Sequence, residues 1–200
     1  MLRLNALTST EVDIVGKIIL VTGGARSGKS SFAEKLALKL GTGRAAYIAT
    51  AQVLDDEMIF RVKLHQSRRG VNWRTFEAPF CAEEKISEAA ETFDAILFDC
   101  VTLYVSNFLC AAVIDDEKIL YDELQRLIQK LIDAAKSSDA TTIFVTNEVG
   151  LGIVPDNKLA RRFRDLAGIA NQMLAAEAEK VFLTVAGLAV DVRKLAEVIE

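Results

Sequence analysis

The octapeptide Gly23-Gly24-Ala25-Arg26-Ser27-Gly28-Lys29-Ser30 fits the pattern G-x-x-x-x-G-K-S at every position. It follows the apolar run Lys17-Ile-Ile-Leu-Val-Thr22 and opens a helical pattern, the context a phosphate-binding loop needs. Its glycines let backbone N–H groups turn toward phosphate oxygens. The helix start adds a favourable partial charge of roughly half a unit. Lys29 is expected to reach the β and γ phosphates, and the Ser30 hydroxyl to ligate Mg²⁺. A chance match on a glycine-rich turn is the plain alternative. The loop points to a nucleotide and magnesium without naming the reaction.

Two further residues carry candidate chemistry. Ala95-Ile-Leu-Phe-Asp99 puts a carboxylate at the carboxyl end of a buried strand, where a loop of this kind needs one for Mg²⁺. The other reading of Asp99 is a cap for the segment that follows. His65 is the only histidine in the chain. Met58, Val62 and His65 share a helix face, so His65 also reads as the polar end of a packed stripe. Arg61, Arg68 and Arg69 surround it, as phosphate contacts or as a solvated basic face.

The elements that must position these groups follow from periodicity. Lys17–Thr22, Ala45–Thr50, Ala95–Asp99, Thr141–Thr146 and Val181–Val185 read as strands. Lys29–Leu40, Asp55–His65, Ala82–Glu91, Asp116–Lys136 and Asn157–Lys180 read as helices, and Gly187 starts a turn into a last extended piece. The alternation predicts an α/β fold of the P-loop NTPase-like kind, a mostly parallel sheet flanked by helices on both faces. Ligands of such sheets sit beyond the carboxyl ends of the strands. The loops after Thr22, Thr50, Asp99 and Thr146 are therefore the ones to inspect.

Composition narrows the class. Two hundred residues suit one domain, read as residues 17–200, with 1–16 as an N-terminal extension. Hydrophobic residues at 51% and charged residues at 26% exclude intrinsic disorder. A net charge of −4 argues against a nucleic-acid partner, which needs a basic footprint. No run is long and apolar enough for a membrane span, and the first sixteen residues do not read as a secretory signal. Cys81, Cys100 and Cys110 match no zinc spacing and read as reduced thiols of a cytoplasmic protein.

One series of motifs is more specific than any single one. Thr22-Gly-Gly-Ala-Arg-Ser-Gly-Lys-Ser30 is followed by Tyr47-Ile-Ala-Thr50, Asp55-Asp-Glu-Met58, Arg61-Val-x-x-His65 and Trp73-Arg-Thr-Phe-Glu77. Thr146-Asn-Glu-Val-Gly-Leu-Gly-Ile-Val-Pro155, then Arg161-Arg-Phe-Arg-Asp165 with Gly168, Asn171 and Gln172, complete it. The series resembles the bifunctional adenosylcobinamide kinase/adenosylcobinamide-phosphate guanylyltransferase family of cobalamin biosynthesis.

That resemblance implies two reactions. The aminopropanol hydroxyl of adenosylcobinamide first takes a γ-phosphoryl group from a nucleoside triphosphate. GMP from GTP is then transferred to the new phosphate through a guanylylated histidine, which falls on His65. It further implies that Gly23 to Ser30 hold the triphosphate. Ala49, Thr50 and Ala51 would line the nucleotide pocket, and Gln66, Ser67, Arg68, Arg69, Glu77 and Asp99 would contact the nucleotide. A carboxylate at Glu77 suits the guanine N1–H and N2–H₂ edge, although a strand-end surface charge is its bland reading. Members often carry Glu where this chain has Asp99. The substrates implied are adenosylcobinamide and its phosphate, with GTP, or ATP for the kinase step, and Mg²⁺. A homo-oligomer, a trimer by analogy, is also implied. The rival readings are a small P-loop kinase doing phosphoryl transfer only and a nucleotide-dependent regulatory ATPase.

Overall fold

Successive side chains of a strand point to opposite faces, and in this chain both faces are apolar. The computed structural model describes residues 17–52 and 70–197. In chain order these form β1 (Ile18–Gly23), α1 (Lys29–Leu40), β2 (Ala45–Ala49), β3 (Trp73–Glu77), α2 (Ala82–Ala90) and β4 (Ala95–Asp99). Then come α3 (Val101–Ala111), α4 (Glu117–Lys136), β5 (Thr141–Val145), α5 (Lys158–Glu177), β6 (Lys180–Val185), β7 (Leu188–Asp191) and a 3₁₀ turn, Val192–Lys194.

Ile18, Leu20, Ala46, Ile48, Ile96, Phe98 and Phe144 face one core, packed against α2, α3, α4 and α5. Ile19, Val21, Ala45, Tyr47, Ala95, Leu97, Ile143 and Val145 face the other, where α1 lays Ala33 and Ala37 on the sheet. The sheet order is β3-β2-β4-β5-β1-β6-β7. All pairs are parallel except β6–β7, a hairpin on the edge. Helices cover both faces, as the alternation predicts.

Most boundaries read from the sequence shift by a residue, and the helix ends show why. Asp116 and Asn157 stand just before their helices as caps, accepting from Ile119 N–H and Ala160 N–H. The last long helix stops at Glu177, not Lys180, because Lys180 already pairs with Ile19 and belongs to β6. The expected helix Asp55–His65 and the extension 1–16 lie outside the described residues.

Two elements escape the periodicity reading. β3 is an edge strand with only Phe76 buried among polar neighbours, so its alternation is weak. α3 is buried at Val101, Thr102, Tyr104, Val105, Asn107 and Leu109, nearly all round, and a helix without a polar face shows no amphipathic period.

Candidate active site

The loop from Gly23 to Ser30 joins β1 to α1 at the carboxyl edge of the sheet. Its shape depends on two glycines. A Cβ at Gly23 would sit 2.4 Å from Thr184 O and 2.6 Å from Thr184 Oγ1. Gly28, which precedes α1, has φ of 101°, and a Cβ there would meet Gly187 Cα at 3.0 Å. The β6–β7 hairpin thus presses on the loop. It is also bonded to it, through Gly187 N–H to Ser27 O at 2.8 Å and Thr184 Oγ1 to Ser27 Oγ at 2.7 Å. Arg26 takes a left-handed φ of 57°, a turn that helps successive N–H groups face one side.

Lys29 is 7% exposed and donates from Nζ to Gly24 O at 2.6 Å, so the ammonium lies inside the arc of the loop. Burial lowers its pKa, and the charges of Cys100 and Asp99 oppose that shift. Asp99 therefore acts electrostatically on Lys29 from β4, two strands from β1, with β5 between them. Asp99 does not cap α3. Cys100 holds that position without a side-chain capping bond, and the Asp99 carboxylate accepts from Tyr47 Oη at 3.2 Å.

Glu77, Ala49, Asp99 and Val145 form one row across four strands. With strands about 4.8 Å apart, Glu77 stands roughly 10 Å from Asp99 and roughly 19 Å from β1. Glu77 is exposed, as is its strand edge, whereas Ala49 and Ala51 are half-buried. The described part of the expected site is thus brought to one edge, with the phosphate loop at one end and Glu77 at the other. His65 and Gln66, Ser67, Arg68 and Arg69 lie outside the described residues.

Thr50 is fully buried and ties strand ends together. Its hydroxyl accepts from Cys100 N–H at 2.8 Å and donates to Cys100 O at 2.9 Å. The chain of bonds continues from Cys100 Sγ to Thr102 Oγ1, which accepts from Asn147 Nδ2 at 3.0 Å. Asn171 closes it, accepting from Thr146 Oγ1 at 2.6 Å and donating to Asn147 O at 3.3 Å. Burial pushes the Cys100 thiol up to about 11, with Asp99 adding to the shift. Glu148 N–H donates to Gly23 O at 3.0 Å, so the loop after β5 also touches the phosphate loop.

The family model for cobinamide kinase / cobinamide phosphate guanyltransferase, the CobU family, matches residues 19–192. The chain belongs to this family. The bifunctional adenosylcobalamin biosynthesis protein CobU of Salmonella typhimurium is 46% identical over 183 residues, covering 88% of this chain and 99% of its own. The Escherichia coli protein of the same name is 43% identical over 182 residues, with 88% and 99% covered. Among solved structures, a KaiC-like protein of Pyrococcus horikoshii overlays with a TM-score of 0.41 at 13% identity, covering 86% of this chain and 74% of that one.

The family match spans both ends of the carboxyl-edge row, from the phosphate loop through Glu77 to the hairpin at Thr184 and Gly187. Sequence reasoning missed three positions at this edge of the CobU fold, Thr102, Asn107 and Thr184, and read Gly187 only as a turn. Asn107 left a usable signal, a lone amide inside the apolar run Val101–Ala111. Thr184 left none, because a threonine in a strand is ordinary. Among the described residues no cluster of three or more His, Cys, Asp or Glu is placed to hold a metal, and no helix is long and apolar enough to cross a membrane.

Proposed function

We propose that this chain carries out both family reactions at the carboxyl edge of its sheet, with His65 as the guanylylated nucleophile. The observation that carries the reading is the buried Lys29, held in the arc of the phosphate loop, with the Asp99 carboxylate at the end of β4 on the same edge of the sheet. In the kinase step the aminopropanol hydroxyl attacks the γ-phosphorus of a nucleoside triphosphate, and the nucleoside diphosphate leaves. Lys29 and the loop N–H groups stabilise the charge that shifts toward the β–γ oxygens.

The donor set fits magnesium, a hard ion that takes few protein oxygens and keeps phosphate and water ligands. Ser30 and Asp99 are the residues to hold it. Bound there, Mg²⁺ would neutralise phosphate charge.

In the transferase step the neutral imidazole of His65 attacks the α-phosphorus of GTP and pyrophosphate leaves. The phosphate of adenosylcobinamide phosphate then attacks the same phosphorus, giving adenosylcobinamide-GDP and free His65. Covalent catalysis divides one hard displacement into two. Glu77 reads the guanine edge from the far end of the row, and Ala49 and Ala51 line the way between, while the buried Thr50 holds the strand ends beneath them. Gln66, Ser67, Arg68 and Arg69 follow His65 directly in sequence and are assigned to the nucleotide.

The chain is assigned to the cytoplasm, acting on small molecules as a homotrimer. The exposed Leu151, Ile153, Leu188 and Val190 offer apolar surface for such an assembly. Light scattering at micromolar concentration checks it, with three times 21.9 kDa expected and a single-chain mass against it.

Incubation with GTP labelled at the α-phosphate, followed by denaturing separation, tests the chemistry. A labelled chain is expected, with an adduct labile in acid and stable in base. Labelling should fade in acid, where protonation takes the imidazole's lone pair. An adduct that survives acid would move the nucleophile elsewhere.

A further inference from the structure

The edge between β2 and β3 is closed by a side chain that belongs to neither strand. The last backbone bond of that pair runs from Ala78 N–H to Ala49 O at 2.8 Å. Just beyond it, the Asn107 amide on α3 donates to Thr50 O at 2.8 Å and to Pro79 O at 3.0 Å. Asn107 is 8% exposed. Both neighbours are carbonyl oxygens, so the amide must present its NH₂ group to them. Both of its hydrogens are used on two segments that arrive from different strands.

Packing alone does not require this. A leucine would fill similar space on an apolar helix without bringing a polar group that must be satisfied. What the amide adds is a fixed distance between Thr50 and Pro79. Thr50 lies one residue past Ala49, and Pro79 two past Glu77, the two positions paired in the row across the site. Two other side chains of α3 reach nearby loops. Tyr104 Oη accepts from Ala82 N–H at 3.1 Å, and Thr102 Oγ1 accepts from Asn147. α3 is thereby a brace over the carboxyl edge, and Asn107 is its contact with the Glu77 arm.

We propose that Asn107 is a positioning residue for guanylyl transfer. It holds the Glu77 arm at a set distance from Thr50 and Ala51, and through that distance sets the preference for guanine over adenine. The proposal rests on the assignment of Glu77 as the guanine reader. A hydrogen-bonding site discriminates only while its groups are held in place, since the edge of the wrong base is rejected by leaving them unpaired.

The test compares initial rates of α-phosphate labelling from GTP and from ATP in the wild type, Asn107→Ala and Asn107→Ser. The ratio of the two rates is independent of how much of each chain is folded. In Asn107→Ala the ratio is expected to fall about tenfold, with the KM for GTP raised more than kcat is lowered. Asn107→Ser keeps one donor and is expected to fall less. A labelled, GTP-selective wild type with both variants at the same ratio would overturn the role of Asn107 alone. A labelled wild type that does not prefer GTP would overturn the reading of Glu77, and the role of Asn107 with it. A wild type that takes no label from either nucleotide would overturn the covalent mechanism, and with it the guanylyl transfer that Asn107 is proposed to serve.

Discussion

The two flanks of the site are held by different means. On the β1 side the phosphate loop is shaped by its own backbone and by close approach, with Gly23 against Thr184 and Gly28 against Gly187. On the β2–β4 side the strand ends are joined by side chains distant in sequence, Thr50 to Cys100 and Asn107 to both Thr50 and Pro79. The first flank tolerates no added atoms at two positions, and the second no lost donors. Substitutions that add volume should therefore damage one flank, and substitutions that remove a hydrogen bond the other.

The largest expected effect lies on the first flank. Lys29→Ala should lower both activities by about 3–4 kcal/mol of transition-state stabilisation, hundreds-fold in rate. Steady-state kinetics of each half-reaction check this, and near wild-type turnover in either would remove Lys29 from the mechanism. Next, Gly23→Ala should weaken nucleotide binding and cost about 1–3 kcal/mol of stability, because its Cβ meets Thr184 backbone. Gly24→Ala has nothing within 4 Å of the added Cβ and should leave the melting temperature of the ligand-free protein unchanged. Equal melting temperatures for the two variants would count against the packing account.

On the second flank, Thr50→Val keeps shape and removes the hydroxyl that serves both Cys100 N–H and Cys100 O. Leaving that buried N–H without an acceptor should cost about 1–3 kcal/mol, read by urea unfolding. A smaller effect is pH-dependent. The Cys100 thiol is raised from 9.0 to about 11 by burial. Between those values the unfolded chain gives up this proton and the folded chain keeps it. The unfolded state is then favoured, and stability contributed by Cys100 should decline from about pH 9 to about pH 11. Cys100→Ala, measured beside the wild type across that range, should show a flatter decline. Parallel curves would mean that Cys100 is not kept protonated by the fold.

The same contrast explains what could be read in advance. The phosphate loop was legible because its constraint is local: eight consecutive residues carry the glycines, the lysine and the serine. The place of Asp99 at the end of β4 was legible because a carboxylate closing an apolar run is a local pattern too. The strands at the centre of the sheet were legible because both faces are buried. β3 was missed because an edge strand with charged neighbours has little alternation, and α3 because a helix buried all round has no polar face. Asn107 and Thr184 act through contacts 28 and 157 residues away in sequence, with Pro79 and Ser27 respectively, and no spacing rule reaches that far.

The central claim is that one chain performs two transfers, only the second of which needs the imidazole. The direct measurement is product analysis of His65→Ala incubated with adenosylcobinamide, GTP and Mg²⁺. Adenosylcobinamide phosphate should still form, since the loop, Lys29 and Asp99 remain, and no adenosylcobinamide-GDP should follow. Formation of adenosylcobinamide-GDP by His65→Ala at the wild-type rate would contradict the account.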